Sequence, residues 1–275
     1  MAASRPPPPG PPGNGGAVKA AAIIPAAGAG TRFGVHGNKA SKQFRDLGGL
    51  PLLVHVLRAF ERSSVQAVYI AAPPGRAAWV RREMVRHHRI RKVRAVWAGG
   101  ASRGESVRRC VDRIPAAYNV LVVHDGARPL VTPALIDSVT AAAFEHGAAL
   151  AAVPETDTVK SVRKSGAREP GEEGGGGEWV RRTERGETLW RAQTPQAFRA
   201  EVFRDALRRA AETGFDGADD ASFVEEAGGR VRIVPGDVRN VKVTDPTDLL
   251  VAEALWLDAT GGRRAGKGRP GGGAP

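Results

Sequence analysis

Short apolar runs and wider apolar stripes alternate along this chain. Residues 20–24, Ala-Ala-Ala-Ile-Ile, form an unbroken apolar run, the pattern of a strand buried on both faces. Leu52, Leu53, Val56, Leu57 and Phe60 then recur at helical spacing. Strand-like runs follow at 68–72, 93–97, 120–123 and 148–153. Between them fall a basic helical stretch at 76–87, a stripe of Val107, Cys110, Val111 and Ile114, and a helical pattern over 133–146. Strands alternating with helices of this length predict an α/β fold: a mostly parallel twisted sheet with helices on both faces.

The alternation breaks over residues 154–193. Two short strand candidates, 158–162 and 178–181, flank four consecutive glycines at 174–177, which predicts a protruding β-hairpin arm. Arms of this kind often join subunits into dimers. The α/β pattern resumes with helices near 199–213 and 221–228, a strand at 231–234 and a short strand at 240–244. Asp245-Pro246-Thr247-Asp248 supplies a cap, a proline at the first helical position and an acid at the third, so a last helix starts there. Residues 1–17 are Pro/Gly-rich and residues 259–275 are basic and Gly-rich, so both are expected to be disordered tails around one domain spanning 18–258.

Charge changes this picture little. The net charge of +12 invites a nucleic-acid reading. The two tails carry five of those charges, however, and aromatic residues make up only 5%, too few for a base-stacking platform. A basic body also suits a small polyanion such as a nucleoside triphosphate. Cys110 is the single cysteine, so neither an internal disulfide nor a cysteine metal site is expected. No apolar run reaches the length of a membrane span and no signal-peptide core is visible, so a cytoplasmic location is expected.

The chemistry starts where the first strand ends. Pro25-Ala26-Ala27-Gly28-Ala29-Gly30-Thr31-Arg32 is a loop of small residues that lets a ligand approach the backbone, and Arg32 adds planar donors suited to phosphate. It is not a P-loop, because no Lys-Ser or Lys-Thr follows the glycines. Its glycines at 28, 30 and 34 are one residue too widely spaced for the dinucleotide fingerprint, although Asp46 lies roughly where a ribose-binding acid would. His124-Asp125-Gly126-Ala127-Arg128 follows the 120–123 strand. An acid at a strand's carboxyl end is placed to hold Mg²⁺ together with substrate phosphates. His124 reads as a packing or hydrogen-bonding residue. Arg32, Lys42 and Lys242 are expected as three cations at one sheet edge. No nucleophile, base and orienter constellation stands out, so electrostatic catalysis of a direct displacement is favoured.

Seven motifs occur in a fixed order: the 25–32 loop, Lys42-Gln43-Phe44, Gly99-Gly100-x-x-Arg103-x-x-Ser106, residues 124–129, Asp157-Thr158-Val159-Lys160, Gln193-Thr194-Pro195-Gln196 and Asn240-Val241-Lys242-Val243-Thr244. Together they resemble the 2-C-methyl-D-erythritol 4-phosphate cytidylyltransferases of the non-mevalonate isoprenoid pathway, over roughly residues 19–257. The resemblance implies a Rossmann-like nucleotidyltransferase fold, a Mg²⁺ cofactor and a homodimer whose arm reaches the neighbouring site. The reaction implied is CTP plus methylerythritol phosphate giving CDP-methylerythritol and pyrophosphate. Pro25, Ala26, Ala27, Gly28, Ala29, Gly30, Gly100, Ser106 and Lys242 would then bind CTP. Arg32 and Lys42 would be catalytic, and Asp125 would help hold the metal. Asp125, Arg128, Thr158, Arg185, Thr194 and Lys242 would bind the acceptor. The chain departs from the family pattern at Ala101 and Ala218, and Arg185 lies five residues before Trp190 rather than four. Ribitol 5-phosphate cytidylyltransferases share part of the pattern. A dinucleotide oxidoreductase would leave Arg32 and Lys42 unexplained.

Overall fold

In the computed structural model, residues 16–28, 42–163 and 178–261 are described. Most of both expected tails, residues 164–177 and the nucleotide-loop residues Ala29, Gly30 and Arg32 lie outside the described residues, but residues 259 and 260, expected in the disordered tail, belong to the last helix. The elements run β1 (Ala20–Pro25), β2 (Asp46–Leu47), β3 (Leu50–Pro51), α1 (Leu52–Arg62), β4 (Ala67–Ala72), α2 (Ala77–Val80) and β5 (Val93–Ala98). They continue as α3 (Arg103–Val111), β6 (Val120–Val123), α4 (Pro133–His146), β7 (Ala148–Pro154), β8 (Lys160–Arg163), β9 (Trp179–Thr183) and β10 (Trp190–Arg199). The last four are α5 (Ala200–Thr213), α6 (Asp220–Glu226), β11 (Arg232–Pro235) and α7 (Pro246–Thr260).

Seven strands form one sheet in the order β11-β7-β10-β6-β1-β4-β5. All neighbours are parallel except β10, which runs antiparallel to both β6 and β7. The alternation of β1 divides the core. Ala20, Ala22 and Ile24 join the cluster under α1 and α4, whereas Ala21 and Ile23 join the cluster under α3, α5 and α6. With both faces covered, β1 has no need of polar positions, which is why it reads as an unbroken apolar run.

Most expected elements are present, with three differences. The 76–87 stretch is not one regular helix: α2 gives way to a wider π turn over Arg81–Arg86. The 240–244 segment joins no ladder among the described residues, and its Val243 amide bonds to the Ala127 carbonyl at 2.8 Å. The excursion also ends earlier than its pattern implied, because Trp190 to Gln193 already lie in β10. That long central strand is hard to see in sequence because polar Gln193, Thr194 and Gln196 interrupt it; the structure buries all three. The α7 cap is as expected: Asp245 accepts from the Thr247 and Asp248 amides at 2.8 and 3.0 Å. Gly147, at φ 93°, ends α4 and turns the chain directly into β7, a conformation that favours glycine.

Cys110 is buried in the core, and burial pushes its thiol up to about 12, so it stays an inert protonated thiol. Among the described residues no helix is long and apolar enough to cross a membrane.

Candidate active site

Strand order reverses between β1 and β6, so their carboxyl ends open a crevice, the position where sheets of this class bind ligands. A cleft of about 430 Å³ lies there. Pro25, Ala27 and Gly28 line one side, Gly100, Ala101, Arg103 and Ser106 another, and Lys42, Asp125 and Lys242 the floor and rim. Residues from five of the seven motifs thus meet at one cleft, whereas residues 157–160 and 193–196 contribute none of its lining. Arg32 lies outside the described residues, but Lys42 and Lys242 do face one cavity.

Local chemistry builds each wall. The Ala26 amide bonds to the Ala71 carbonyl at 2.8 Å, and the Gln43 amide nitrogen donates to the Ala26 carbonyl, so both backbone groups of Ala26 are fixed. Opposite, Ser102 caps α3 by accepting from the Glu105 amide at 3.0 Å. Ser106 accepts from the Gly100 amide at 2.9 Å and donates to the Ser102 carbonyl at 2.8 Å. Its one hydrogen is therefore used in shaping the Gly100 turn, while the side chain still lines the cleft. Gly99 must be glycine because a Cβ there would run into the Ala27 methyl and the Ser106 hydroxyl.

Asp125 is the electrostatic hub. Its Oδ1 meets Arg103 Nε at 3.0 Å and its Oδ2 meets Lys242 Nζ at 2.9 Å, with Arg128 Nε at 3.8 Å. Burial alone would raise its carboxyl, but Arg103, Lys242 and Arg128 outweigh burial and hold it well below the ordinary range. It is therefore ionised at any working pH. Arg103 also reaches Asp220 Oδ2 at 2.7 Å, tying α3 to α6 across the cleft floor. Burial raises the Asp220 carboxyl against the opposing pull of Arg103, and its Oδ1 has no hydrogen-bond partner among the described residues.

Behind Asp125 lies a buried polar layer. Arg128 donates to the Asn240 carbonyl at 2.8 Å, and Asn240 donates to the Thr194 carbonyl at 2.8 Å, fastening the 240–244 segment to the sheet. The β7–β10 register breaks between Ala192 and Gln196, around the cis Thr194–Pro195 peptide. This bulge carries Thr194 to the Asp125 amide at 3.1 Å and to His124 Nδ1 at 3.1 Å. His124 is fully buried, and burial lowers its imidazole to about 4.

Of the described residues expected at the site, Ala26, Arg128 and Thr194 are absent from the cleft lining, and two more lie on the arm. Thr158 and Arg185 are exposed on the segments flanking the β8–β9 hairpin, and neither lines the cleft. Arg103, Asp220 and Asn240 are the residues to which sequence reasoning gave no role. For Arg103 a signal existed: a cation one residue past a helix cap, just after a Gly-Gly turn. A carboxylate ringed by Arg103, Arg128 and Lys242, beside a small-residue loop at a switch point, defines a nucleotidyltransferase-type site, where positioning and charge do the chemistry.

Comparison with known proteins narrows the class. The family model described as 2-C-methyl-D-erythritol 4-phosphate cytidylyltransferase matches residues 20–257. The enzyme of that name from Geobacter metallireducens is 44% identical over 238 residues, 85% of this chain and 96% of that protein. Its counterpart from Pelotomaculum thermopropionicum is 42% identical over 249 residues, 90% of this chain and 98% of its own. The crystal structure of the Thermus thermophilus enzyme superposes with a TM-score of 0.66 at 31% identity, covering 86% of this chain and 98% of that one. The chain belongs to the 2-C-methyl-D-erythritol 4-phosphate cytidylyltransferase family.

Proposed function

We propose that this chain transfers the cytidylyl group of CTP to 2-C-methyl-D-erythritol 4-phosphate, releasing pyrophosphate in isoprenoid precursor synthesis. The single observation that carries the reading is the convergence of Pro25, Ala27, Gly28, Gly100, Lys42, Asp125 and Lys242 on one cleft. The named relatives support the acceptor, since each carries the methylerythritol phosphate name and none the ribitol one.

The reaction needs no protein nucleophile. An acceptor phosphate oxygen forms a bond to the α-phosphorus while the bond to the bridging oxygen breaks, and that electron pair leaves with pyrophosphate. Lys42 and Lys242, with Arg32 by resemblance, would neutralise the charge that builds on the α-phosphoryl oxygens and the leaving group. Residues 25–28, with Ala29 and Gly30, would hold the triphosphate, and Gly100, held by Ser106, would face the base. Arg128, buried behind Asp125, fixes the 240–244 segment that carries Lys242.

Asp125 fits a Mg²⁺ ion as its one protein carboxylate, because it is ionised and lines the cleft. Among the described residues no group of three or more histidine, cysteine or acidic side chains could cage a metal. The remaining ligands would therefore come from phosphates and water. When bound, the ion would draw charge from the phosphates.

A homodimer belongs to the same proposal. On the β8–β9 hairpin Trp179 is 70% and Val180 61% exposed, and a two-stranded ribbon is marginal by itself. A second copy packed there would cover those side chains and could bring Thr158 and Arg185 to a neighbouring cleft. The cytoplasm suits a chain whose one cysteine forms no internal disulfide.

The deciding experiment is a pyrophosphate-release assay across nucleotides and sugar-alcohol phosphates. CTP with methylerythritol phosphate should far exceed every other pair. Equal turnover with ATP, or a preference for ribitol 5-phosphate, would overturn the reading.

A further inference from the structure

Lys42-Gln43-Phe44 folds as a single 3-10 turn, and the Arg45 amide bonds to the Lys42 carbonyl at 3.0 Å. With three residues per turn, successive side chains leave it about 120° apart. Lys42 lines the cleft, Gln43 is buried and donates to the Ala26 carbonyl, and Phe44 packs toward the start of α2. A turn this short has too few hydrogen bonds of its own to hold a direction. Fixing two of its three side chains from outside therefore fixes the third. Gln43 supplies one anchor. The other is a stack of rings and a cation. Trp79 meets Phe44 edge to face, with centroids 5.0 Å apart and planes at 82°. The Arg76 guanidinium carbon lies 4.1 Å from the Trp79 ring centre and 5.6 Å from that of Phe44. Arg76 and Trp79 are three apart at the start of α2, so they share one side of it. The Arg76 amide bonds to the Pro73 carbonyl at 3.0 Å, and Pro74 from the same corner lines the cleft.

We propose that Trp79 and Arg76 are positioning residues for cytidylyl transfer: by holding Phe44 against the corner between β4 and α2, they aim Lys42 at the cleft. The inference rests on the cytidylyl-transfer reading, in which Lys42 neutralises charge that builds during the displacement. Such a charge works only where it is already in place, so the orientation of its turn matters as much as its presence. Neither Trp79 nor Arg76 lines the cleft, and both act through Phe44. Both rings also rest on the core cluster under α1 and α4, which gives the clamp a rigid base.

Two measurements on the full-length protein test this, both well below the unfolding midpoint. In the first, Trp79→Leu keeps apolar bulk but removes the ring. It should lower kcat roughly 10- to 100-fold, the scale of a slightly misplaced catalytic group, and leave KM for methylerythritol phosphate within about twofold. Trp79→Phe keeps an edge-to-face ring and should recover most of that kcat. Arg76→Met, at a half-buried position that tolerates change, should give a smaller loss of the same kind. Because both residues act through Lys42, either substitution added to Lys42→Ala should slow it by no more than about twofold. A loss of the same factor with and without Lys42, or a normal kcat in both Trp79→Leu and Arg76→Met, would overturn the proposal. A residue that served stability alone would shift only the unfolding temperature. The second measurement needs no activity. Hydrogen exchange of the Arg45 amide, which closes the turn on Lys42, should be faster in Trp79→Leu than in wild type; an unchanged rate would also overturn it. If wild-type protein transferred no cytidylyl group, the function reading would fail, and the exchange rate would still decide whether Trp79 holds this turn.

Discussion

Replacing Arg103 with methionine keeps a long side chain at the start of α3 but removes the guanidinium that touches two carboxylates. The loss falls hardest on Asp220, which is fully buried and bonds to Arg103 at 2.7 Å through one oxygen, while its other oxygen has no hydrogen-bond partner among the described residues. Removing one member of a buried pair typically costs about 3–5 kcal/mol, because the remaining charge is left uncompensated. Arg103 is 32% exposed at the cleft, so solvent softens the loss and the lower end, about 3 kcal/mol, is expected. The cost should depend on pH. Without Arg103, burial drives the Asp220 carboxyl further up, and the native state holds a proton that the unfolded chain releases near its ordinary value of about 3.9. The native state then binds more protons than the unfolded state between those values, so stability falls as pH rises through that window. Urea unfolding at mildly acidic and mildly alkaline pH should show a larger gap between wild type and Arg103→Met at the alkaline end. Adding Asp220→Asn removes the stranded charge and should restore most of the loss. A loss below about 1 kcal/mol at alkaline pH, or no rescue by Asp220→Asn, would refute the claim that this pair braces α3 to α6.

Four further outcomes follow from the same geometry. Lys42→Ala should lower kcat roughly 100- to 1,000-fold while CTP affinity changes little, which single-turnover and binding measurements separate; near-normal turnover would make the lysine a bystander. Gly99→Ala forces the new methyl against Ala27 and Ser106, so it should cost about 1–3 kcal/mol and weaken CTP binding, read by thermal unfolding with and without nucleotide. His124 titrates at about 4 in the fold against 6.5 ordinarily, so the unfolded chain binds the proton first; stability should fall by up to about 3 kcal/mol as pH drops through that window, and His124→Asn should abolish that part of the slope. If the arms complete opposite sites, nearly inactive Asp125→Ala and Thr158→Ala proteins should recover up to roughly a quarter of wild-type activity when co-refolded; no recovery from verified mixed dimers would place each site within one chain.

The sequence alone determined the strands buried on both faces, the amphipathic helices, and the loop of small residues after β1. Each of these is a local property: the pairing of β1 between two parallel strands demands apolar side chains on both faces, and α1 needs only one stripe. The caps of α7 were legible for the same reason, since Asp245 and Asp248 satisfy amides within their own turn. Tertiary structure decided what depends on a distant partner. Residues 240–244 have the composition of a strand, but they join no ladder among the described residues and are held by separate bonds such as Val243 to Ala127. β10 has too many polar residues to look central, yet Gln196 donates to Asp219 and accepts from the Ala221 amide, Gln193 donates to the Asp237 carbonyl, and Thr194 bonds to His124 and Asp125. Thr194 shows the limit most plainly. A motif places its hydroxyl near a site, but its neighbours, the Asp125 amide and His124, lie about 70 residues away and come together only once the sheet has formed.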